Sequence, residues 1–234
     1  MSLFGRGVVA IWHGLKEEGR CSFYQWHNTE HMPERAGIRG FVRGRRYHDR
    51  QNPAELFTLY ETLDTDVLTS SAYLERLNAP TPWTVESIRA FTKLSRALAE
   101  VVFSRSTGDG AVLRVLRFDI EGDDDAASIR ARLIRRLEPI CEVEGVVGVH
   151  LCATKLDASA IPSVEKKDQA LARPAAWTVL IEFGAELQDA GADHPMVADV
   201  LGQEPGITDL KSNLFHLQVQ VLGVELTHPG VQQT

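Results

Sequence analysis

The chain has 234 residues, of which 44% are hydrophobic and 24% charged, the balance of a folded globular protein rather than of a disordered one. Its formal charge of -7 argues against a nucleic-acid partner, which needs a basic face, and the short run "RGRR" is too small to reverse that. No apolar run approaches the roughly 20 residues of a membrane helix, and "MSLFGRGVVAIWHG" has neither an apolar core segment nor a small-residue cleavage site, so a cytoplasmic protein with no membrane contact is expected.

Period-two alternation predicts strands over 7–13, 40–48, 55–61 and 97–103. A helix falls between the first two, and helical stretches over 66–78 and 84–92 fall between the last two, giving the order β-α-β-β-α-β. The order then recurs: strand 112–120, helix 126–142, strands 145–153 and 176–183, a helical region at 194–202 and a last strand at 214–222. Val8 and Gly40 are as far apart as Leu113 and Gly145, and a glycine opens the second strand of each half, which points to a tandem duplication. The expected division is a first ferredoxin-like repeat over 1–107 and a second over 108–234, joined by the turn-rich "STGDGA". The second repeat carries a longer, proline-bounded connection at 155–173, the expected mobile loop. The expected fold class is α+β. Each unit has one bare sheet face to cover, and two repeats packed sheet to sheet as a pseudo-dimeric α/β barrel cover each other's.

The helix of the first repeat holds "HNTEH", with His27, Glu30 and His31. "SFYQ" reads as a capping box with Ser22 at the N-cap. At 100° per residue, Phe23, Trp26, His27, Glu30 and His31 share one face, and Gln25, Asn28, Thr29 and Met32 the other. The ionisable groups therefore lie on the aromatic, inward side, where they must satisfy one another or reach a cavity. In the second repeat Arg132, Arg135 and Arg136 stand at the corresponding places, so the motif belongs to one half only.

H-x-x-E-H is also the pattern of the inverted zinc peptidases, in which two imidazoles hold zinc and the carboxylate is the base. From this composition it arises by chance in roughly one or two chains per hundred of this length. A third ligand is wanted, yet Glu100 falls in a predicted strand, and Pro33 bends or ends the helix that the motif would continue. Cys21, Cys141 and Cys152 fit no zinc or redox spacing and read as free thiols.

The run "WHNTEHMPER" followed by "GIRGFVRGRRY" resembles the first helix and second strand of EthD-like members of the dimeric α/β-barrel superfamily, here as a fused tandem repeat. The resemblance covers residues 7–105; the second repeat follows the element order without the motif. It implies a small-molecule protein among relatives that include isomerases, cyclases, cofactor-poor monooxygenases and haem enzymes, and by itself selects no reaction.

Comparing repeats assigns the strand faces. Val147, Val149 and Leu151 read as helix-facing, which leaves Val146, Gly148, His150 and Cys152 toward the space between sheets. Transferred to the first repeat, that phase turns Phe41, Arg43, Arg45 and Tyr47 inward; Phe215, Leu217, Val219 and Val221 read as helix-facing in the last strand. The expected site joins His27, His31 and Glu30 as proton-transfer groups to the ligand-binding residues Trp26, Phe41, Arg43, Arg45, Tyr47 and His13. Its expected ligand is a small oxygenated molecule, with no cofactor and no metal. The expected activity is isomerisation, cyclisation or cofactor-free oxygenation. A non-catalytic metabolite-binding barrel and a zinc metallopeptidase are the alternatives. A monomer with an internal pseudo-dimer or a homodimer is the expected assembly.

Overall fold

Alternating residues of the first half form an antiparallel sheet in the computed structural model, which describes residues 3–166, 171–184, 194–202 and 204–223. Contacts divide the chain into two compact units: Phe4–Glu100 with Lys155–Pro174 and Leu217–Thr234, and Met1–Leu3 with Val101–Thr154 and Ala175–His216.

The unit that holds the first repeat contains β1 (Gly7–Leu15), α1 (Arg20–Trp26), α2 (Met32–Ala36), β2 (Phe41–Asp49), β3 (Glu55–Thr62), α3 (Ser71–Asn78), α4 (Pro82–Ser87) and the start of β4 (Phe91–Ser106). These four strands pair antiparallel, in the order β4-β1-β3-β2. β4 begins at Phe91, earlier than the alternation suggests, because Leu15 pairs with Phe91 and draws the chain into the sheet directly after the helical turn Ile88–Ala90. Val9, Met32, Phe41, Tyr60, Tyr73, Leu77 and Leu98 pack between sheet and helices. The connection after β6 (Val146–Thr154) enters this unit through α6 (Leu156–Ala160), where Leu98 N–H donates to Ser159 Oγ at 2.9 Å, and through β7 (Leu171–Ala172), which pairs in parallel with Leu94 and Ser95. Part of that connection, 167–170, lies outside the described residues.

The other unit has β5 (Val112–Ile120), α5 (Ala126–Leu137), β6 (Val146–Thr154), β8 (Trp177–Phe183), α7 (Pro195–Ala198) and most of β9 (Ile207–Leu222). Its order, β9-β5-β8-β6, is that of the first unit. α5 starts where its sequence says it should: Asp125 caps it by accepting from the Ala127 and Ser128 amides. Its face of Ile129, Leu133 and Leu137 closes on Val149, Leu151, Val179 and Ile181. Among the described residues no helix is long and apolar enough to cross a membrane.

Two local expectations are corrected. Ser22 is not an N-cap. The helical turn Glu17–Gly19 runs straight into α1, Gly19 and Arg20 already have helical dihedrals, and the N-cap position of α1 is Gly19, ahead of Ser22. The strand phases also slip by one residue in the same place in each repeat. A β-bulge lies between Phe41 and Arg43, and another between Val146 and Gly148. Phe41 and Val146 thereby join the helix-side clusters, while Arg43, Arg45 and Tyr47 keep the opposite face. In β9 the expected phase fails at its start and holds further on: Leu214 packs against a helix-side cluster and Phe215 pairs with Leu113, whereas Val219 and Val221 pack on the helix-side cluster of the first unit as expected.

Candidate functional site

The helix that carries "HNTEH" is not a regular α-helix. After α1 the backbone widens into a π turn over His27–His31, with the Met32 amide bonded to the His27 carbonyl five residues back, before α2 resumes. Pro33 gives the reason: it has no N–H to return to Thr29, so one regular bond is missing here in any case. The extra residue in the turn rotates Met32 from its expected outward place to a fully buried one. It also carries Glu30 off the histidine face, so that Glu30 Oε1 accepts from Thr81 Oγ1 at 2.6 Å, and Glu30 braces the start of α4. Trp26 Nε1 donates to Thr84 Oγ1 (3.2 Å) beside it.

What remains on the inner face is aromatic. His27 and His31 stack at 5.4 Å between ring centroids, Trp26 lies 4.4 Å from His31, and Phe23 lies 4.8 Å from His27. His13 on β1 comes up from the sheet and stacks on Phe91 at 4.4 Å. Ile11, Thr58, Tyr60, Leu94 and Arg96 share the helix-facing side of the sheet with His13, because cross-strand partners share a face. Together with Trp26, His27, His31, Arg35, Phe41, Tyr73, Phe91 and Glu165, they enclose a cavity of about 60 Å³.

Burial determines the protonation states. It pushes the His13 pKa down to about 3, with the Arg46 charge adding to the effect. His27 lies well below the usual imidazole range, through burial first and then His31 and Arg46. His31 is lowered by burial and then by Arg35. Arg46, itself lowered by burial to about 10, remains charged at neutral pH. Its Nη1 stands 3.0 Å from His27 Nδ1, and since a guanidinium only donates, the His27 ring proton belongs on Nε2. His31 Nε2 faces Glu165 Oε1 at 3.8 Å, and Glu165 Oε2 is held by Arg35 at 2.7 Å. The carboxylate favours the proton on Nε2, which leaves His31 Nδ1 with its lone pair. Among the described residues that atom has no hydrogen-bond partner, and the same is true of His13 Nδ1, Thr58 Oγ1 and Tyr60 Oη.

Of the expected site residues, His13, Trp26, His27, His31 and Phe41 meet at this cavity. Glu30 does not, for the reason given. Arg43 and Arg45 converge instead on Glu61 (2.7 and 3.2 Å) on the far face of the sheet, where the Tyr47 ring lies tilted against Phe57 at 5.9 Å. The residue beside His27 is Arg46, one position along, and it lies on the helix face because Gly44 and Arg46 alternate with Arg43 and Arg45 after the bulge. Thr58 and Tyr60 could have been read from the alternation of β3; nothing local could have pointed to Glu165. The expected pocket between sheets is thus replaced by one between a sheet and its helices. Among the described residues no three His, Cys, Asp or Glu side chains are placed to hold a metal ion.

No family model matches the sequence, and no curated protein does. Solved structures do match in fold. A candidate monooxygenase from Lactobacillus acidophilus superposes with a TM-score of 0.57 at 11% identity, over 93% of this chain and 96% of that one. A candidate monooxygenase from Fusobacterium nucleatum gives 0.59 at 12%, over 94% and 95%. An anthrone oxidase-like protein gives 0.63 at 10%, over 96% and 97%. At these identities the likeness concerns the fold: α+β, ferredoxin-like, of the dimeric α/β-barrel type.

Proposed function

We propose that the chain is a small-molecule enzyme, EthD-like in its first repeat and built by tandem duplication, whose neutral histidines move a proton on an oxygenated organic substrate. The observation that carries this reading is the set of four buried polar atoms without partners among the described residues, His13 Nδ1, His31 Nδ1, Thr58 Oγ1 and Tyr60 Oη, around one cavity. Orphaned buried groups are costly, and a ligand that satisfies them repays the cost. In this reading His31 Nδ1 takes a proton from carbon next to a carbonyl and Glu165 steadies the imidazolium that forms. Tyr60 or Thr58 donates to the enolate oxygen. Returning the proton to another atom is an isomerisation; attack of the enolate within the molecule is a cyclisation. Reaction of that carbanion with oxygen would be a cofactor-free oxygenation; the names of the structural neighbours speak of monooxygenases and of an anthrone oxidase-like protein.

Duplication is supported by matched details: Gly40 and Gly145 both have positive φ (90° and 86°), and both second strands carry the bulge. Buried Glu61 and Glu182 each accept from a main-chain amide ahead of the first strand, of Phe4 (3.0 Å) and Gly110 (2.8 Å).

The test is exchange of carbon-bound hydrogen for deuterium, followed by NMR over a panel of small ketones, lactones and phenols. Exchange above the buffer rate is expected for at least one compound, and its loss in His31→Asn at unchanged melting temperature. Equal exchange in wild type and H31N would remove His31 as the base. A compound that binds at this cavity and never exchanges would favour the non-catalytic barrel.

A further inference from the structure

The cavity is surrounded by more positive charge than its own carboxylates neutralise. Arg35, Arg76, Glu34 and Glu165 form a closed set of two cations and two anions, linked by contacts of 2.7 and 3.2 Å. The histidines are held neutral by burial. Arg46 and Arg96 are left over. Arg46 is buried and donates only to neutral acceptors, Gln218 Oε1 (3.0 Å), Asn28 Oδ1 (2.8 Å) and His27 Nδ1 (3.0 Å), with the Tyr24 ring 4.7 Å from its guanidinium. Arg96 is buried, lines the cavity and donates to Tyr73 Oη at 2.7 Å. Among the described residues neither has a carboxylate within ion-pair distance. A buried charge without a counter-charge is costly, and that cost is recovered when an anion arrives.

We propose that the ligand of this cavity is a compact organic anion, a carboxylate on an apolar body, received by Arg96 with the Tyr60 and Thr58 hydroxyls and held in the field of Arg46. The inference rests on the reading of this cavity as the substrate site and adds the class of substrate. A planar guanidinium fork suits a carboxylate, and Trp26, Phe41, Tyr73 and Phe91 offer the body an aromatic wall. The cavity of about 60 Å³ limits its size, since a single water needs roughly 10–15 Å³ by this measure. Such a space takes a ligand of a few non-hydrogen atoms.

Propionate and propionamide have the same shape and differ in charge, so they separate this idea from simple apolar filling. Each is titrated into the full-length protein at fixed salt and followed through the indole N–H signal of Trp26, which lines the cavity. Propionate is expected to bind at least about tenfold more tightly than the amide, as a charge-assisted contact requires. Arg96→Met should abolish that preference and Arg96→Lys retain most of it. Should R96M fail to fold, the acid-to-amide ratio of the wild type decides alone. Equal affinity for both, or no response to propionate, overturns the anionic ligand. Neither result touches proton exchange from neutral compounds, so the proton-transfer reading stands or falls separately. Propionate binding without exchange of any substrate would keep the anion site and sink the enzyme.

Discussion

In the second repeat, α5 is an uninterrupted helix of 12 residues whose Ile129, Leu133 and Leu137 fill the space over the sheet, and whose Arg132 and Arg136 clamp the buried Glu204 at 2.8 and 2.6 Å. In the first repeat the matching segment breaks into α1, a π turn and α2, and sets His27 and His31 where the other repeat has only packing and a structural ion pair. The sheet beneath differs in the same sense. Val149 and Ile181 pair under α5, and at the equivalent places Gly44 and Tyr60 pair under the π turn. One frame thus supports a closed core in one half and an opened, polar-lined cavity in the other. What the two halves keep in common, the glycine, the bulge and the buried glutamate of the third strand, is what builds the sheet.

That comparison can be broken at the shared glutamates. Glu61→Ala strands Arg43 and Arg45 without their common carboxylate and should cost about 3–5 kcal/mol in chemical denaturation. Glu182→Ala should cost less, because its basic neighbour His150, 3.3 Å away, can be neutral and a guanidinium cannot. Equal losses would mean that the basic neighbours do not set the cost.

A pH series separates the cavity from the core. His13 is neutral in the fold down to about pH 3, whereas the unfolded chain binds its proton below about 6.5. The unfolded state therefore holds more protons in that window. Stability is complete above pH 6.5 and declines as pH falls toward 3, by up to a few kcal/mol for this group, with His27 and His31 adding in the same direction. His13→Leu should flatten the slope between pH 6.5 and 5; an unchanged slope would place the titration elsewhere.

Gly44→Ala tests whether the first repeat depends on its open floor. A methyl group there would meet the Tyr60 ring at 2.7 Å and Met32 Cε at 3.3 Å, and overpacking of this kind costs about 1–3 kcal/mol. Denaturation curves indistinguishable from wild type would show that Tyr60 and Met32 have room to retreat. The smallest contrast is at the helix starts. Asp125→Ala should lower the melting temperature measurably, and Ser22→Ala should not, since Asp125 caps a helix and Ser22 lies inside one.

The sequence by itself determined the element order, the strands over 112–120 and 55–61 almost to the residue, and the presence of a one-sided histidine cluster, because alternation and helical period are local properties of the chain. Tertiary structure alone decided where the strand phase breaks and which arginine meets His27. A bulge is a property of strand pairing: it turns Phe41 to the helix side while Arg43 and Arg45 keep the face that alternation gives them, so the arginine beside His27 is Arg46. It also decided that Glu30 braces α4 and that the carboxylate near His31 is Glu165, which reaches Arg35 across 130 residues of chain. Charges and orphaned hydrogen-bonding groups acquire meaning only when burial brings them together, and burial is settled by contacts that no local pattern records.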